Sequence, residues 1–324
     1  MKYLLIVMVS MACWLAYAEP AKDATWTSPE TARAEDADFS IQGEYGQDTA
    51  GGAWGLQVIA MGNGQFDAYA LEGGLPGVGW DKTRRRVKLT GKTADGKTVL
   101  TGAPGLQAEI VGGKATLTIA EATVTLPRIE RHSATEGAKA PEGAIVLFDG
   151  SSADAWTNGQ IENGLLMSNG SPTTKELFGS YTLHAEFRTP YTPSARGQGR
   201  GNSGIYHQGR FETQVLDAFG LEGNDNETGG IYGIAVPRLN MCLPPLSWQT
   251  YDVDFTAGAF VDGKKTTLAK ITVRLNGVLI HENQELPKAT AASPRPDGPE
   301  GGPIYLQDHG NPVRYRNIWI VKKN

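Results

Sequence analysis

The chain has 324 residues, of which 40% are hydrophobic and 20% charged, and its formal net charge is −5 at neutral pH. A chain of this length is expected to form two domains. Its longest basic run is the triplet Arg84 to Arg86, so a nucleic-acid-binding role is not expected.

Residues 1–18 have the pattern of a signal peptide. Lys2 precedes an apolar stretch, and Ala16-Tyr17-Ala18 gives the small residues of a cleavage site, so the mature chain is predicted to start at Glu19. We therefore expect a soluble protein, exported to the periplasm or secreted, without a membrane contact after cleavage. A lipoprotein anchored at Cys13 is the alternative, although Ser10-Met11-Ala12 is a poor context for lipidation.

Removal of Lys2 changes the formal charge from −5 to −6 and leaves Cys242 as the only cysteine. No intrachain disulfide can then form, so the fold must be stabilised by packing. Met241 and Leu243 flank this cysteine, and we expect it to be a small buried apolar side chain rather than a nucleophile.

Residues 19–132 are predicted to form a small β-rich accessory domain, and residues 133–143 to form a linker. Short alternating segments between glycine-rich turns indicate strands, at 54–61, 65–71, 86–91, 97–102, 106–111 and 114–119. Residues 26–38 are predicted to form a short helix or an extended arm. Residues 133–143 lack apolar periodicity, as expected of a linker.

Residues 144–324 are again mostly predicted strands, at 144–148, 164–168, 181–188, 203–207, 211–217, 248–256, 270–275, 278–282, 304–308 and 313–321. Asn276-Gly277 between two of them is a strong hairpin signal. No long helical period intervenes, so the sequence predicts an all-β fold, with a two-sheet sandwich of jelly-roll type. Three long loops, at 192–201, 218–230 and 290–302, are expected to build a binding site.

The strand at 211–217 carries polar side chains at alternate positions. Glu212 and Gln214 should project from one face, about 7 Å apart, while Phe211, Thr213 and Val215 pack on the other. Polar groups on one side of an apolar strand are costly to bury without a purpose. We interpret this face as part of a sugar-binding groove.

A series of motifs beyond residue 144 resembles the 3-keto-disaccharide hydrolase family. The motifs are Leu147-Phe148-Asp149-Gly150 with Trp156, residues 181–188, Asn202-Ser203-Gly204-Ile205, residues 211–217, Gly230-Ile231-Tyr232-Gly233, residues 248–251, Leu275-Asn276-Gly277, residues 306–310 and Arg316-Asn317-Ile318. The resemblance covers residues 144–324 and implies a fold similar to concanavalin A-like lectins and glucanases. Many members are exported bacterial proteins.

The resemblance implies cleavage of glycosidic bonds in 3-keto-glucosides. A ketone at C3 makes the C2 proton acidic, so a base can remove it, the aglycone can leave from C1, and water can add to the resulting enone. This route needs a base, a group that stabilises the enolate and an acid for the leaving oxygen. Two alternatives stay open: a conventional glycosidase with two carboxylates, and a non-catalytic carbohydrate-binding module.

Candidate roles follow from side-chain chemistry and motif position. Glu212 is the predicted base, His309 the predicted acid or alternative base, and Asp217 a residue that orients a neighbour or helps to hold a metal. The predicted sugar-binding residues are Arg188, Asn202, His207, Gln214, Tyr232, Gln307 and Arg316.

Some of these residues also have structural alternatives. Glu212 could pair with Arg188 or Arg210, Arg316 could be an ion-pair partner, Asp217 could start a turn, and His309 could brace one. The family often has an arginine where this chain has His207-Gln208, and the insertion at 196–200, with Arg196 and Arg200, is expected to supply that cation.

No cofactor is predicted with certainty. A divalent ion, either calcium or a transition metal, stays an alternative with Glu212, Asp217, His207 and His309 as ligands. The chain lacks a compact metal-ligand motif, so the metal site itself is unassigned.

Overall fold

A computed structural model describes residues 24–323 of the chain. The predicted signal peptide and its cleavage site lie outside the described residues. The predicted all-β class is confirmed, because two short helices accompany 23 strands: α1 is Pro29–Glu35 and α2 is Ala37–Ile41. Neither helix, nor any other among residues 24–323, is long and apolar enough to cross a membrane.

The predicted short helix within residues 26–38 is present as α1. Pro29 occupies its first turn, and the Ser28 hydroxyl accepts hydrogen bonds from the backbone N–H groups of Glu30 and Thr31 at 3.2 and 3.4 Å. This cap satisfies donors that the first helical turn leaves free. Just before it, Trp26 forms a β-bridge with Tyr191 of the second half of the chain.

Eight strands of the N-terminal half close into a barrel in which sequential strands pair antiparallel. They are β1 (Gly43–Tyr45), β2 (Trp54–Gly62), β3 (Gln65–Glu72), β4 (Arg86–Ala94), β5 (Lys97–Thr101), β6 (Leu106–Val111), β7 (Lys114–Ile119) and β8 (Ala122–Ile129). The six predicted strands correspond to β2 through β7, and the pairing of Glu44 with Ile129 closes the barrel. Two strands were missed, because β1 has only three residues and β8 contains Pro127 and one buried side chain, that of Leu126.

The second half of the chain contributes the other strands. They are β9 (Ile145–Phe148), β10 (Trp156–Thr157), β11 (Ile161–Glu162), β12 (Leu165–Met167), β13 (Thr173–Thr174), β14 (Tyr181–Arg188), β15 (Ser203–His207), β16 (Phe211–Val215), β17 (Gln249–Thr256), β18 (Ala259–Val261), β19 (Lys264–Thr267), β20 (Ala269–Leu275), β21 (Val278–Leu286), β22 (Tyr305–Leu306) and β23 (Arg314–Lys322). A five-stranded sheet has the order β10-β13-β22-β15-β16. A larger sheet has the order β11-β12-β23-β14-β17-β20-β21, with β9 on β23.

One hydrophobic core lies between these two sheets. Ile205, Phe211 and Val215 of the smaller sheet share it with residues of the larger one such as Phe187 and Phe255. Alternate residues of each strand point away from this core, which leaves both outer faces available for polar side chains.

The Asn276-Gly277 hairpin is present as predicted, and it joins β20 to β21 through the pair Leu275 and Val278. Both turn residues have positive φ, 53° and 80°, as a two-residue hairpin turn of this type requires.

The predicted linker contains no helix or strand among its residues, but it is fixed to the outer face of the larger sheet. The Ser133 and Thr250 hydroxyls are 2.5 Å apart, and the backbone N–H of Gly137 donates to Glu186 Oε1 at 2.6 Å. The linker therefore forms specific contacts along its first half.

The barrel also packs directly against the sandwich. Ile59 of β2 contacts Leu216, Phe219 and Cys242 in a small shared apolar cluster. Cys242 is buried as predicted, and burial raises the pKa of its thiol to about 12.

Candidate functional site

The outer face of the five-stranded sheet carries the predicted acidic and amide side chains. Tyr206 of β15 lies opposite Glu212 of β16, and Gly204 lies opposite Gln214. The odd-numbered neighbours Ile205, Phe211 and Val215 face the core, as the alternation predicted. Glu212 and Gln214 thus share the face that points away from the core.

Glu212 is buried on this face. Its side chain accepts a hydrogen bond from the Tyr206 hydroxyl at 2.9 Å, and its backbone N–H donates to Thr290 Oγ1 at 3.0 Å. Burial raises the pKa of the Glu212 carboxyl to about 7, although the bond from Tyr206 acts in the opposite direction. A carboxyl with this pKa can both accept and release a proton near neutral pH.

Tyr206 is a site residue that the sequence interpretation did not place beside Glu212. Gln307 Nε2 donates to its hydroxyl at 3.2 Å, and the hydroxyl also lies 3.3 Å from the carbonyl oxygen of Ala291. Burial and the Glu212 charge raise the pKa of Tyr206 above its usual range. Tyr206 therefore stays protonated, and its position two residues after Gly204 on the same face is the signal that could have identified it.

Beside Glu212 lies an amide cluster formed by Gln198, Asn202 and Gln214. Gln198 Oε1 accepts hydrogen bonds from Asn202 Nδ2 and Gln214 Nε2, both at 3.1 Å. Gln198 Nε2 donates to the backbone carbonyl of Asn226 at 2.8 Å. Asn202 Oδ1 is buried and has no hydrogen-bond partner among residues 24–323, so this site retains one free acceptor.

All three predicted loops contact this face. The first supplies Gln198, the second supplies the carbonyl of Asn226, and the third supplies Thr290. Tyr232 lies beside the same strand, since its backbone N–H donates to the Glu212 carbonyl at 3.2 Å.

His309 is exposed in the turn that follows Gln307. Asn311 of the same turn accepts a hydrogen bond at its Oδ1 from the backbone N–H of Asn202 at 3.0 Å. The turn that carries His309 therefore borders the amide cluster. No hydrogen bond joins His309 to Glu212 among the described residues.

The prediction that His207 binds sugar is corrected by the structure. Its ring lies in the sandwich core, where Nδ1 is 2.9 Å from the Tyr181 hydroxyl and Nε2 is 3.0 Å from Thr213 Oγ1. Burial lowers the pKa of His207 to about 3, so it is neutral. Since it shares the parity of Ile205 on β15, it points away from the Glu212 face.

Asp217 orients a neighbour, Arg200, as one of its predicted roles, whereas the predicted catalytic and metal-binding roles are corrected. Its Oδ2 accepts a hydrogen bond from Arg200 Nε at 2.6 Å in a buried ion pair. The second arginine of the insertion, Arg196, donates to backbone carbonyls, including that of Met61 at 2.9 Å. Both cations expected to serve the sugar site instead connect the insertion to its surroundings.

Arg188 and Arg316 lie on the other sheet, on its outer face. Arg316 Nε pairs with Glu186 Oε2 at 2.6 Å, and the guanidinium lies 4.0 Å from the centre of the Trp248 ring. Arg188 donates to the carbonyl of Thr27 at 2.8 Å. Because the sandwich core, about 10 Å thick, separates the two outer faces, neither arginine can share a site with Glu212. Arg316 is therefore an ion-pair partner, which was the structural alternative to its predicted sugar-binding role.

The residues present do not fit the metal site considered for this chain. Among residues 24–323, no group of three or more His, Cys, Asp or Glu side chains could hold an ion. Of the four proposed ligands, His207 lies in the core and Asp217 is paired with Arg200. The remaining polar groups around Glu212 are mainly hydroxyls and amides.

Residues 143–321 match the family model described as a 3-keto-alpha-glucoside-1,2-lyase-like domain. A solved structure of a candidate glycosyl hydrolase from Parabacteroides distasonis is 34% identical, with a TM-score of 0.53, and the alignment covers 57% of this chain and 85% of that one. A second candidate glycosyl hydrolase structure from the same organism is 21% identical over 56% of this chain and 95% of its own, with a TM-score of 0.41.

No match was found among curated proteins. The family model spans more than half of the chain, including the five-stranded sheet and all of the larger sheet but its last residue. The resemblance seen in the sequence motifs is thus confirmed, and the chain belongs to the 3-keto-α-glucoside-1,2-lyase-like family.

Proposed function

We propose that the protein cleaves the glycosidic bond of 3-keto-glucosides, with Glu212 as the base. The observation that supports this most is a buried carboxyl with a pKa of about 7, hydrogen-bonded by Tyr206 on a face lined with amides. Family membership and the similarity to candidate glycosyl hydrolases agree with a glycosidic substrate.

In the proposed first step, ionised Glu212 takes the proton from C2 of the sugar. The electron pair of the C2–H bond moves into a C2–C3 double bond, and the C3 carbonyl oxygen becomes an enolate oxygen. Hydrogen-bond donors at that oxygen lower the barrier, since they stabilise charge that develops during the reaction. Tyr206, whose hydroxyl contacts Glu212, is the candidate donor at that oxygen.

In the second step the enolate re-forms the C3 carbonyl, a C1–C2 double bond forms, and the C1–O bond breaks. The leaving oxygen takes a proton from an acid, for which His309, on the exposed turn that borders the amide cluster, is the candidate. Water then adds across C1 and C2, with the hydroxyl going to C1 and a proton returning to C2, which completes a net hydrolysis.

The same proposal includes finer assignments. Two sheets around one core support a concanavalin A-like jelly roll, with residues 19–132 as an accessory domain and 133–143 as the linker. Export to the periplasm or outside the cell, with a carbohydrate substrate and neither nucleic acid nor membrane as a partner, also stays part of the proposal. No step is assigned to a metal, because the donor set does not fit one.

The test compares a chromogenic 3-keto-glucoside with its unoxidised parent. We expect release of the chromophore from the ketone only. Release from the parent would indicate a conventional glycosidase, and binding of either sugar without release would indicate a binding module.

Glu212→Gln should abolish release from the ketone without changing the fold, because the amide cannot take the C2 proton. Glu285→Gln is the matched control, since Glu285 is exposed on β21 of the other sheet. Full activity of the Glu212 variant would remove this residue from the role of base.

A further inference from the structure

The first predicted loop, residues 192–201, contains the insertion at 196–200. It is held by the barrel and supplies Gln198 of the amide cluster. Its residues Gly197–Gly199 form a single turn of 3-10 helix, and Gln198 lies at the centre of that turn. The two arginines that flank this turn, Arg196 and Arg200, both reach the barrel.

The barrel contacts are made through backbone carbonyls of β2. Arg196 Nη2 donates to the Met61 carbonyl at 2.9 Å, and Arg200 Nη1 donates to the Ala60 carbonyl at 3.3 Å. Gly62 packs against the same loop so closely that a Cβ there would lie 2.9 Å from Ser194 Oγ. The β2 end of the barrel is therefore a fixed support for the insertion.

On the other side, Gln198 connects three separate segments. Its side chain bonds Asn202 just before β15, Gln214 of β16 and the Asn226 carbonyl of the second loop. Gln214 Oε1 in turn accepts from the backbone N–H of Val215 at 3.0 Å, so the Gln214 amide is fixed at both ends. The position of Gln198 thus sets the orientation of the amide groups next to Glu212.

We infer that the barrel is a positioning element of the sugar site, acting through Arg196 and Gln198 on the amides of Asn202 and Gln214. Arg196 and Gln198 are positioning residues, and the barrel determines how tightly the substrate is held. The kinetic part of this inference rests on the proposed function, whereas its structural part does not.

The structural test is hydrogen exchange of backbone amides in the full chain. Arg196→Ala should accelerate exchange at Gly199, Arg200 and Asn202 by about three- to tenfold, the range expected for losing a hydrogen bond. Arg196→Lys should restore part of the protection. Arg274→Ala is the matched control, because Arg274 is another exposed arginine that donates to a backbone carbonyl, that of Gly277.

The kinetic test uses the 3-keto-glucoside. Arg196→Ala and Gln198→Ala should each raise KM several-fold and leave kcat within about twofold, since the chemical groups at Glu212 stay in place. The double variant should cost no more than the larger single change, because both residues act on the same amides.

The two tests separate the inference from the proposed function. Unchanged exchange in the insertion of Arg196→Ala overturns the inference, whatever the activity. Faster exchange in a protein without turnover of the ketone supports the inference and contradicts only the proposed reaction. If turnover occurs and both variants behave like Arg274→Ala, the kinetic role is contradicted.

Discussion

Glu212 Oε1 lies over the backbone of Gly204 on the neighbouring strand, and a Cβ on Gly204 would be only 2.1 Å from that oxygen. A real Cβ cannot approach so closely, so the glycine is what allows the carboxylate to lie flat against the sheet. Gly204 occupies ordinary strand backbone in the five-stranded sheet. The space that the Glu212 side chain occupies, rather than a backbone conformation that only glycine can adopt, therefore explains why residue 204 is a glycine.

Gly204→Ala should displace Glu212 and lower kcat/KM for the 3-keto-glucoside by at least about tenfold. Forcing an extra methyl into this packing should also cost roughly 1–3 kcal/mol of unfolding free energy, measurable by urea denaturation. The double variant Gly204→Ala with Glu212→Asp is the control, since the shorter acid leaves room for the methyl. It should regain stability without regaining activity, and a fully active Gly204→Ala would contradict the geometry.

Tyr206→Phe should move the acidic limb of the kcat/KM profile to higher pH. The Tyr206 hydroxyl stabilises the ionised form of Glu212, so its loss raises the pKa of the carboxyl above about 7 and delays formation of the base. Tyr305→Phe is the matched control, because Tyr305 packs against Tyr206 but donates to Ser171 at 2.9 Å. An unshifted limb in Tyr206→Phe would show that Glu212 does not govern that limb.

Glu212→Gln should stabilise the protein at high pH. The pKa of Glu212 is raised from 4.5 to about 7 on folding, so the folded state binds the proton more tightly and stability falls as pH rises across that interval. At pH 8 the variant should gain up to about 3 kcal/mol over the parent protein, and near pH 4 it should gain little. If the variant and the parent protein are equally stable at pH 8 as well as at pH 4, ionisation of Glu212 does not destabilise the folded protein.

His184 should stabilise the protein mainly at acidic pH. Burial opposes its charge, but hydrogen bonds to Asp252 at 2.7 Å and Glu186 at 3.4 Å outweigh this and raise its pKa. Its contribution is complete below the unfolded pKa of about 6.5 and is lost as pH rises through the folded value. Glu186 has a pKa lowered to about 2, so it stays ionised throughout this window.

The measurement is the difference in unfolding free energy between the parent protein and His184→Gln. This difference should be larger at pH 5.5 than at pH 9. His132→Gln provides the comparison, since that side chain is 74% exposed and should have little effect at either pH. A difference for His184→Gln that does not vary with pH would contradict a charged His184.

Local patterns predicted much of the fold because they depend on neighbouring residues. Alternation gave β14 and β15 with their observed bounds, and Asn276-Gly277 gave the hairpin between β20 and β21. Barrel closure was missed because the pairing of Glu44 with Ile129 joins residues far apart in the chain, and alternation within a strand does not specify its partner.

The site was predicted to the extent that its residues lie on one strand. Glu212 and Gln214 follow from the two-residue period, and the same period applied to Ile205 would have placed His207 in the core. Arg188 and Arg316 were misplaced because the sheet to which a strand belongs depends on long-range pairing. Gln198 lies in a glycine-rich loop, where no periodicity indicates what a side chain contacts.

The segment between barrel and sandwich is fastened along the larger sheet by Ser133, Thr135 and Gly137. A linker held in this way is not flexible, so the two halves cannot rotate independently of each other. Heating should consequently unfold both halves in one calorimetric transition. Substitutions that break the contacts of the linker with the larger sheet should divide that transition into two.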